Sequence, residues 1–301
     1  MKIKNVTLLY RPAAVRRYAS KLRKFVRELE KLGVTVHQTM TGNSQVTQMV
    51  VRERLRTRDT DALIIFGGDG FLHAVLQETA GTDMPLGIIP AGSGNDFARH
   101  LRISKDPRRA AAVIAAGNAQ PLDLGYVEPL PAGTRTGQWF ATIACIGFDS
   151  RIVARTNSFS WPRGTLRYVI SLLVELPNYG AVPAQIYADG ELVHDERMTL
   201  CAVSNTRFYG GGFPIGVGAQ PDDGVLNTTV VGGIGKIRLG ANIPRLFTGG
   251  FTKVPEVKVI RGQEIIVAGA RGLTCHADGE AVCPAPFRVR IVPGAMRFLV
   301  P

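Results

Sequence analysis

Twice within the first hundred residues an apolar run ends in a glycine-rich turn that leads into a helical pattern. Residues 62–66 run into Gly67-Gly68-Asp69-Gly70, and residues 86–90 into Ala91-Gly92-Ser93-Gly94-Asn95-Asp96. A short strand that is apolar on both faces belongs in a sheet covered by helices on both sides. The surrounding pattern agrees. Residues 5–10, 34–39, 62–66 and 86–90 read as strands, and 15–32, 45–58, 71–79, 96–101 and 107–116 as helices. Leu22, Phe25, Val26 and Leu29 mark one face of the first helix, and Gly33 stops it. This alternation predicts a doubly wound, mostly parallel α/β domain over residues 1–121.

After Pro121 the texture changes to glycine, proline and short β-rich runs, at 139–146, 184–187, 198–203, 226–231, 256–260, 264–268 and 287–292. They predict an antiparallel β-sandwich over residues 122–285, interrupted by one helix at 165–176 that Pro177 breaks. A chain of 301 residues, 45% hydrophobic, has room for both domains. Its longest apolar runs, 168–174 and 110–116, fall far short of the roughly 18 residues that span a bilayer. The apolar part of the N-terminus, 6–10, is shorter than a signal-peptide core, so a cytoplasmic protein is expected. Cys145, Cys201, Cys275 and Cys283 form no Cys-x-x-Cys pair and are expected as buried strand residues, not as a metal site with His276.

The formal net charge of +12 favours anionic partners: nucleic acid, nucleotides or acidic lipid headgroups. Both glycine turns lie where a backbone can close on such a group, with a helix dipole behind it. Neither matches Gly-x-Gly-x-x-Gly, because His73 and Phe97 stand at the third glycine positions, and no Gly-x-x-x-x-Gly-Lys occurs. A dinucleotide fold and a P-loop are both disfavoured. Asp-Gly-Glu occurs at 189–191, between alternating runs as in a hairpin turn, and again at 278–280. Carboxylates of the second copy could take a proton from an alcohol, although a second hairpin is the simpler reading from the residues alone.

In order along the chain, these strings resemble the diacylglycerol kinase catalytic domain family. Its soluble bacterial diacylglycerol and lipid kinases look nearest, with sphingosine and ceramide kinases as relatives. Besides the glycine turns, the resemblance rests on Pro121-Leu122-Asp123-Leu124-Gly125, Ile146-Gly147-Phe148-Asp149, the helix start from Gly164 to Tyr168 and Asn205. Further on come Phe208-Tyr209-Gly210-Gly211-Gly212-Phe213, Asp222-Asp223-Gly224, Asp278-Gly279-Glu280 and Pro301. It implies an α/β nucleotide domain rejoined by about residues 286–301, a β-sandwich that takes the lipid, and ATP in the cleft between domains. Gly67, Gly68, Asp69, Gly70, Phe71, Leu72 and His73 would line the phosphates. Gly92, Ser93, Gly94, Asn95, Thr39 and Arg11 would contribute from neighbouring segments. Asp69, Asp96 and Asp123 would form a carboxylate and water network around catalytic Mg2+, and Gln220, Asp223 and Val225 would hold a structural Mg2+. Glu280, with Asp278, would act as general base.

The chain departs from the family pattern at Phe71, where threonine is usual, and at His73, often asparagine. It departs again at Arg11, which opens a loop that usually begins with asparagine, and in lacking a proline before Ala219. The function implied is transfer of the ATP γ-phosphoryl group to a membrane lipid, most simply diacylglycerol, giving phosphatidic acid. The enzyme would sit peripherally at the anionic inner membrane surface, without nucleic acid, and could form a homodimer. The alternatives are an NAD kinase-like enzyme, and a catalytically silent nucleotide- or lipid-binding regulator.

Overall fold

The computed structural model describes residues 2–133, 136–159, 161 and 165–301. Gly164, expected to open a helix, lies outside the described residues. The chain forms two compact units, Met1–Asp123 with Pro293–Pro301, and Leu124–Val292. The elements run β1 (Asn5–Tyr10), α1 (Pro12–Lys31), β2 (Thr35–Met40), α2 (Ser44–Thr57), β3 (Ala62–Gly67), α3 (Asp69–Thr79), β4 (Pro85–Pro90), α4 (Asp96–His100), α5 (Pro107–Ala116) and β5 (Ala119–Pro129). They continue as β6 (Gln138–Phe140), β7 (Ile143–Gly147), α6 (Phe148–Ser158), α7 (Thr165–Glu175), β8 (Val182–Ala188), β9 (Glu191–Ser204), β10 (Leu226–Gly232), α8 (Lys236–Thr248), β11 (Val257–Gly262), β12 (Glu264–Gly269), β13 (Thr274–Ala277), β14 (Glu280–Pro284) and β15 (Phe287–Leu299).

In the first unit the strand order is β2-β1-β3-β4-β15, and every pair is parallel. All six residues of β3 and of β4 are buried, the signature of strands covered on both faces. One face packs Val6, Leu8, Ile64 and Phe66 against Phe25 and Leu29 of α1 and Ile114 of α5. Local chemistry starts and stops these helices. Pro12 and Pro107 stand in first turns, Asp106 accepts the Arg108 N–H at 2.7 Å, and Gly117 ends α5 in the left-handed region.

The second unit is antiparallel and sandwich-like, around a core that includes Phe140, Ile146, Ile186, Val203, Val267 and Phe287. β9 pairs with β8 along its first half and with β7 and β10 along its second, which is why it runs 14 residues where six were expected. A second core, on the other side of β7 and β9, packs Phe148 and Ile152 of α6 and Tyr168 and Leu172 of α7.

Three sequence expectations are corrected here. The single strand at 139–146 breaks at residues 141–142 into β6 and β7, because those two backbone N–H groups turn to bond Asp278. The second unit carries α6 and α8 as well as α7. The last strand begins at Phe287 as expected but runs on to Leu299. The four cysteines are buried on strands, as expected, and form no disulfide among the described residues.

Candidate functional site

In the first unit the site is built where β3 and β4 end. The Gly67 carbonyl accepts the Ala91 N–H at 2.7 Å, so both turns leave the sheet together. They then meet backbone to backbone. A methyl group on Gly92 would lie 2.5 Å from Gly68 Cα, and one on Gly68 would lie 2.7 Å from Gly92 Cα. Asp69 staples the turns: its Oδ2 accepts the Asp96 N–H at 3.0 Å and its Oδ1 the Phe97 N–H at 3.1 Å. A carboxylate in the first turn of α3 thereby caps α4. Asn95, with φ of 56°, accepts the Gly92 N–H at 2.8 Å and donates to the Gly92 carbonyl at 2.9 Å. The Asp96 carboxylate pairs with Arg99, whose guanidinium also donates to the Gly94 carbonyl at 3.3 Å. The result is a rigid floor of small residues at helix N-termini, the chemistry that cradles a phosphate.

Of the run 67–73, Gly68, Asp69 and Gly70 are the half-buried residues able to face a ligand, and Gly67 is buried at the end of β3. The side chains of Phe71, Leu72 and His73 are buried, and the Phe71 and Leu72 N–H groups bond the Gly68 carbonyl. Ser93 is exposed at the rim, and Thr39 is half-buried on β2 opposite Leu9. Arg11 caps α1, donates to Ser44 Oγ at 2.9 Å, and holds its guanidinium 5.0 Å from the centre of the Phe71 ring. Two departures from the family pattern are thus one cation–π contact. It sits at the carboxyl ends of β1 and β3, where the strand order reverses and open α/β sheets bind ligands.

Asp123 is buried and accepts the Gly294 N–H at 2.8 Å. Each carboxylate assigned to the catalytic metal therefore already holds protein groups. Among the described residues no three Asp, Glu, His or Cys side chains are grouped to grip an ion directly. Sequence reasoning passed over Lys21, whose Nζ donates to the Pro90 carbonyl at 2.7 Å. Burial pushes its pKa down, as does Lys105, with Asp106 opposing. The only signal was a lysine adjoining the apolar stripe of α1.

In the second unit the two Asp-Gly-Glu strings form twin hairpins. Asp189 and Asp278 have φ of 49° and 50°, followed by Gly190 and Gly279 at 87° and 89°. The Asp189 carboxylate accepts the N–H groups of Gln263 and Glu264 at 2.9 and 2.8 Å. The Asp278 carboxylate accepts those of Ala141 and Thr142 at 2.9 and 2.8 Å, and the Thr142 hydroxyl at 2.5 Å. In each hairpin the aspartate clamps a neighbouring segment. Replacing either by alanine strands two backbone donors and leaves a β-carbon in the left-handed region. Asp278→Ala, whose partners are part-buried, should lose about 1–3 kcal/mol in urea unfolding, and Asp189→Ala, whose partners are exposed to water, less. Full stability of Asp278→Ala would contradict the clamp.

The last residues of the two strings are alike as well: Glu191 and Glu280 are both exposed and lie opposite Ala188 and Ala277. What the second hairpin adds is nearby His276, whose pKa burial lowers, with the Thr274 carbonyl and Glu280 opposing. Asp223, assigned to a structural ion, accepts the Val225 N–H at 3.1 Å and pairs with Arg261 at 2.9 Å; Gln220 is exposed and Val225 half-buried.

An apolar pocket opens in the same unit. Phe148, Ile152, Leu172 and Leu200 form its walls, and Leu239, Ile243 and Leu246 of α8 its roof. Its cavity volume is ≈ 50 Å³, and all the free space between its lining atoms, open solvent included, is ≈ 640 Å³. Asp149, to which sequence reasoning gave no role, lies in the lining and is fully buried. The Tyr168 hydroxyl donates to its Oδ1, and Oδ2 accepts no hydrogen bond among the described residues. Desolvation raises its pKa to about 6, opposed by Tyr168 and by the more distant Cys145 and Tyr209. The signal was an aspartate closing an apolar string.

A carboxyl with a raised folded pKa favours folding while protonated and loses that advantage as pH rises from about 4 through about 6. The loss amounts to about 3 kcal/mol. The facing Tyr168, Tyr209 and Cys145 have pKa values pushed upward and stay neutral across that range. Between pH 4 and 7 the wild type should therefore lose about 3 kcal/mol relative to Asp149→Asn in urea unfolding. A difference that does not change with pH would contradict a buried, ionising Asp149.

Comparison with known proteins places this geometry. Residues 5–127 match the diacylglycerol kinase catalytic domain, and residues 142–300 the YegS C-terminal NAD kinase beta sandwich-like domain. A diacylglycerol kinase of Mycobacterium tuberculosis is 36% identical over 279 residues, covering 92% of this chain and 88% of that protein. A "probable lipid kinase YegS-like" of Xanthomonas campestris is 27% identical over 93% of this chain and 91% of its own. A crystal structure of a diacylglycerol kinase from Bacillus anthracis superposes with a TM-score of 0.76 at 20% identity, over 100% of this chain and 98% of that one. An NAD kinase from Archaeoglobus fulgidus, in complex with ATP, shares the fold at a TM-score of 0.54 and 13% identity, over 98% and 93%.

Proposed function

We infer, because this chain belongs to the diacylglycerol kinase catalytic domain family, that it is an ATP-dependent lipid kinase and that its acceptor is a membrane lipid hydroxyl, diacylglycerol first. The observation that carries a lipid acceptor is the pocket of the second unit. Its walls and roof are aliphatic and aromatic, and its buried polar group is an acid, surroundings suited to an acyl chain and unsuited to the phosphates of a dinucleotide.

The glycine floor of the first unit fits a nucleotide phosphate: the turns pack backbone against backbone at Gly68 and Gly92, with no side chain between them, at the start of α3. Gly68, Gly70, Gly92 and Gly94 would hold the phosphates, with Ser93 at the rim and Arg11 adding charge. Magnesium, when bound, neutralises charge on the transferring group. Asp69, Asp96 and Asp123 would reach it through water, their oxygens already holding protein groups. Glu280 takes the proton from the acceptor hydroxyl, while Asp278 sets the hairpin that presents it. Most of the acceleration in this class of reaction is positioning and electrostatics.

Incubation with labelled ATP and two competing acceptors, NAD and a lipid extract, tests the reading. Label is expected in the lipid fraction. Label in NADP instead would show the related dinucleotide chemistry.

A further inference from the structure

Helix α8 packs loosely: none of its thirteen residues is buried. It is apolar on two opposite sides. Leu239, Ile243 and Leu246, spaced i, i+4, i+7, roof the pocket. Ile237, Ala241 and Pro244, with the same spacing but two residues earlier, lie roughly 200° round the helix. All three are exposed, Ile237 at 91%, the most exposed large hydrophobic residue among those described. An internal proline and an unburied isoleucine make no sense as core, and water is a poor environment for them.

Within the segment that carries this outer stripe the charge is of one sign. Residues 232–253 contain Lys236, Arg238, Arg245 and Lys253 and no aspartate or glutamate. Among the described residues Lys236 and Arg245 engage neutral oxygens, of Pro177 and Asn242, and Arg238 pairs with Glu256 at 2.8 Å. A helix with an apolar strip flanked by basic side chains suits the boundary between anionic headgroups and acyl chains.

We propose that α8 is the docking helix of this protein: Ile237, Ala241 and Pro244 enter the interface of an anionic bilayer, Lys236 and Arg245 meet its headgroups, and the roof of the lipid pocket is thereby set at the membrane. The membrane as occupant rests on the lipid-kinase reading and on this charge complementarity. The choice of α8 rests on its two apolar stripes.

The test uses the whole protein and vesicles of phosphatidylcholine, with or without phosphatidylglycerol, without ATP or acceptor. The wild type should sediment with the phosphatidylglycerol vesicles and be released by salt. Ile237→Glu, at a site too exposed to disturb folding, should bind about tenfold more weakly while keeping the wild-type melting temperature. Arg245→Gln should weaken binding in the same direction. The native cysteines are all buried, so Ala241→Cys can be labelled selectively with a polarity-sensitive dye, whose emission should shift to the blue when vesicles are added. Failure of the wild type to bind, unchanged binding of Ile237→Glu, or a dye that stays in water while the protein binds would each overturn the proposal. Because no phosphate transfer is measured, an inactive protein that still docks through α8 would sink the kinase reading alone.

Discussion

Gly92→Ala should lower affinity for ATP by at least about a hundredfold, some 3 kcal/mol. The new methyl group would stand 2.5 Å from Gly68 Cα and 3.1 Å from Asn95 Oδ1. The first of these is backbone, and it cannot swing aside. Nor can the loops drift apart freely, since the Ala91 N–H is bonded to the Gly67 carbonyl and Asp69 grips the Asp96 and Phe97 amides. Strain of this kind costs typically 1–3 kcal/mol of stability, so the variant should fold and be testable. Gly68→Ala should behave alike, its β-carbon meeting Gly92 Cα at 2.7 Å. Gly42→Ala is the control: it has open space and an ordinary φ, and should bind as the wild type does. Titration calorimetry with ATP reads all three. An affinity within a few-fold of wild type for both loop variants would remove the glycine floor from nucleotide binding.

Glu280→Gln should lower turnover about 10²- to 10⁴-fold, the range for loss of a general base, with ATP affinity unchanged. The twin hairpin sharpens this expectation. Asp189 and Asp278 share backbone conformation and carboxylate bonding, so that bonding alone marks a clamp. Glu280 is exposed, as Glu191 is in the first hairpin, so its assignment as base rests on the family resemblance and on this measurement. Steady-state kinetics with an unchanged melting temperature would assign the role. Turnover within a few-fold of wild type would remove Glu280 from proton transfer.

The parallel unit was legible because its signals are local. Burial of β3 and β4 on both faces writes itself as runs without a polar side chain, ALIIFG and PLGIIP, and α1 shows its stripe at Leu22, Phe25, Val26 and Leu29. The second unit was less so, because its decisive partners are distant in sequence. β9 is long because three strands pair with it, and the break at 141–142 is caused by Asp278, more than 130 residues away. α8 was overlooked because Gly240 and Pro244 interrupt its stripe of Leu239, Ile243 and Leu246, which is only partly buried. The structure brings the two glycine turns side by side, but the bonding that joins them was not foreseeable. Nothing in the letters says that Asp69 caps α4, or that Arg11 lies over Phe71. Asp149 was visible only as an acid in an apolar string; its burial depends on α6 and α7 folding over it.

The most direct measurement is phosphate transfer itself. Purified protein is incubated with labelled ATP, Mg2+ and mixed micelles of diacylglycerol and anionic lipid, beside Glu280→Gln. Labelled phosphatidic acid from the wild type, and almost none from the variant, is the predicted result. No label in these micelles or in a total lipid extract, from a protein that binds ATP, would contradict the account and leave a nucleotide-binding protein without lipid kinase activity.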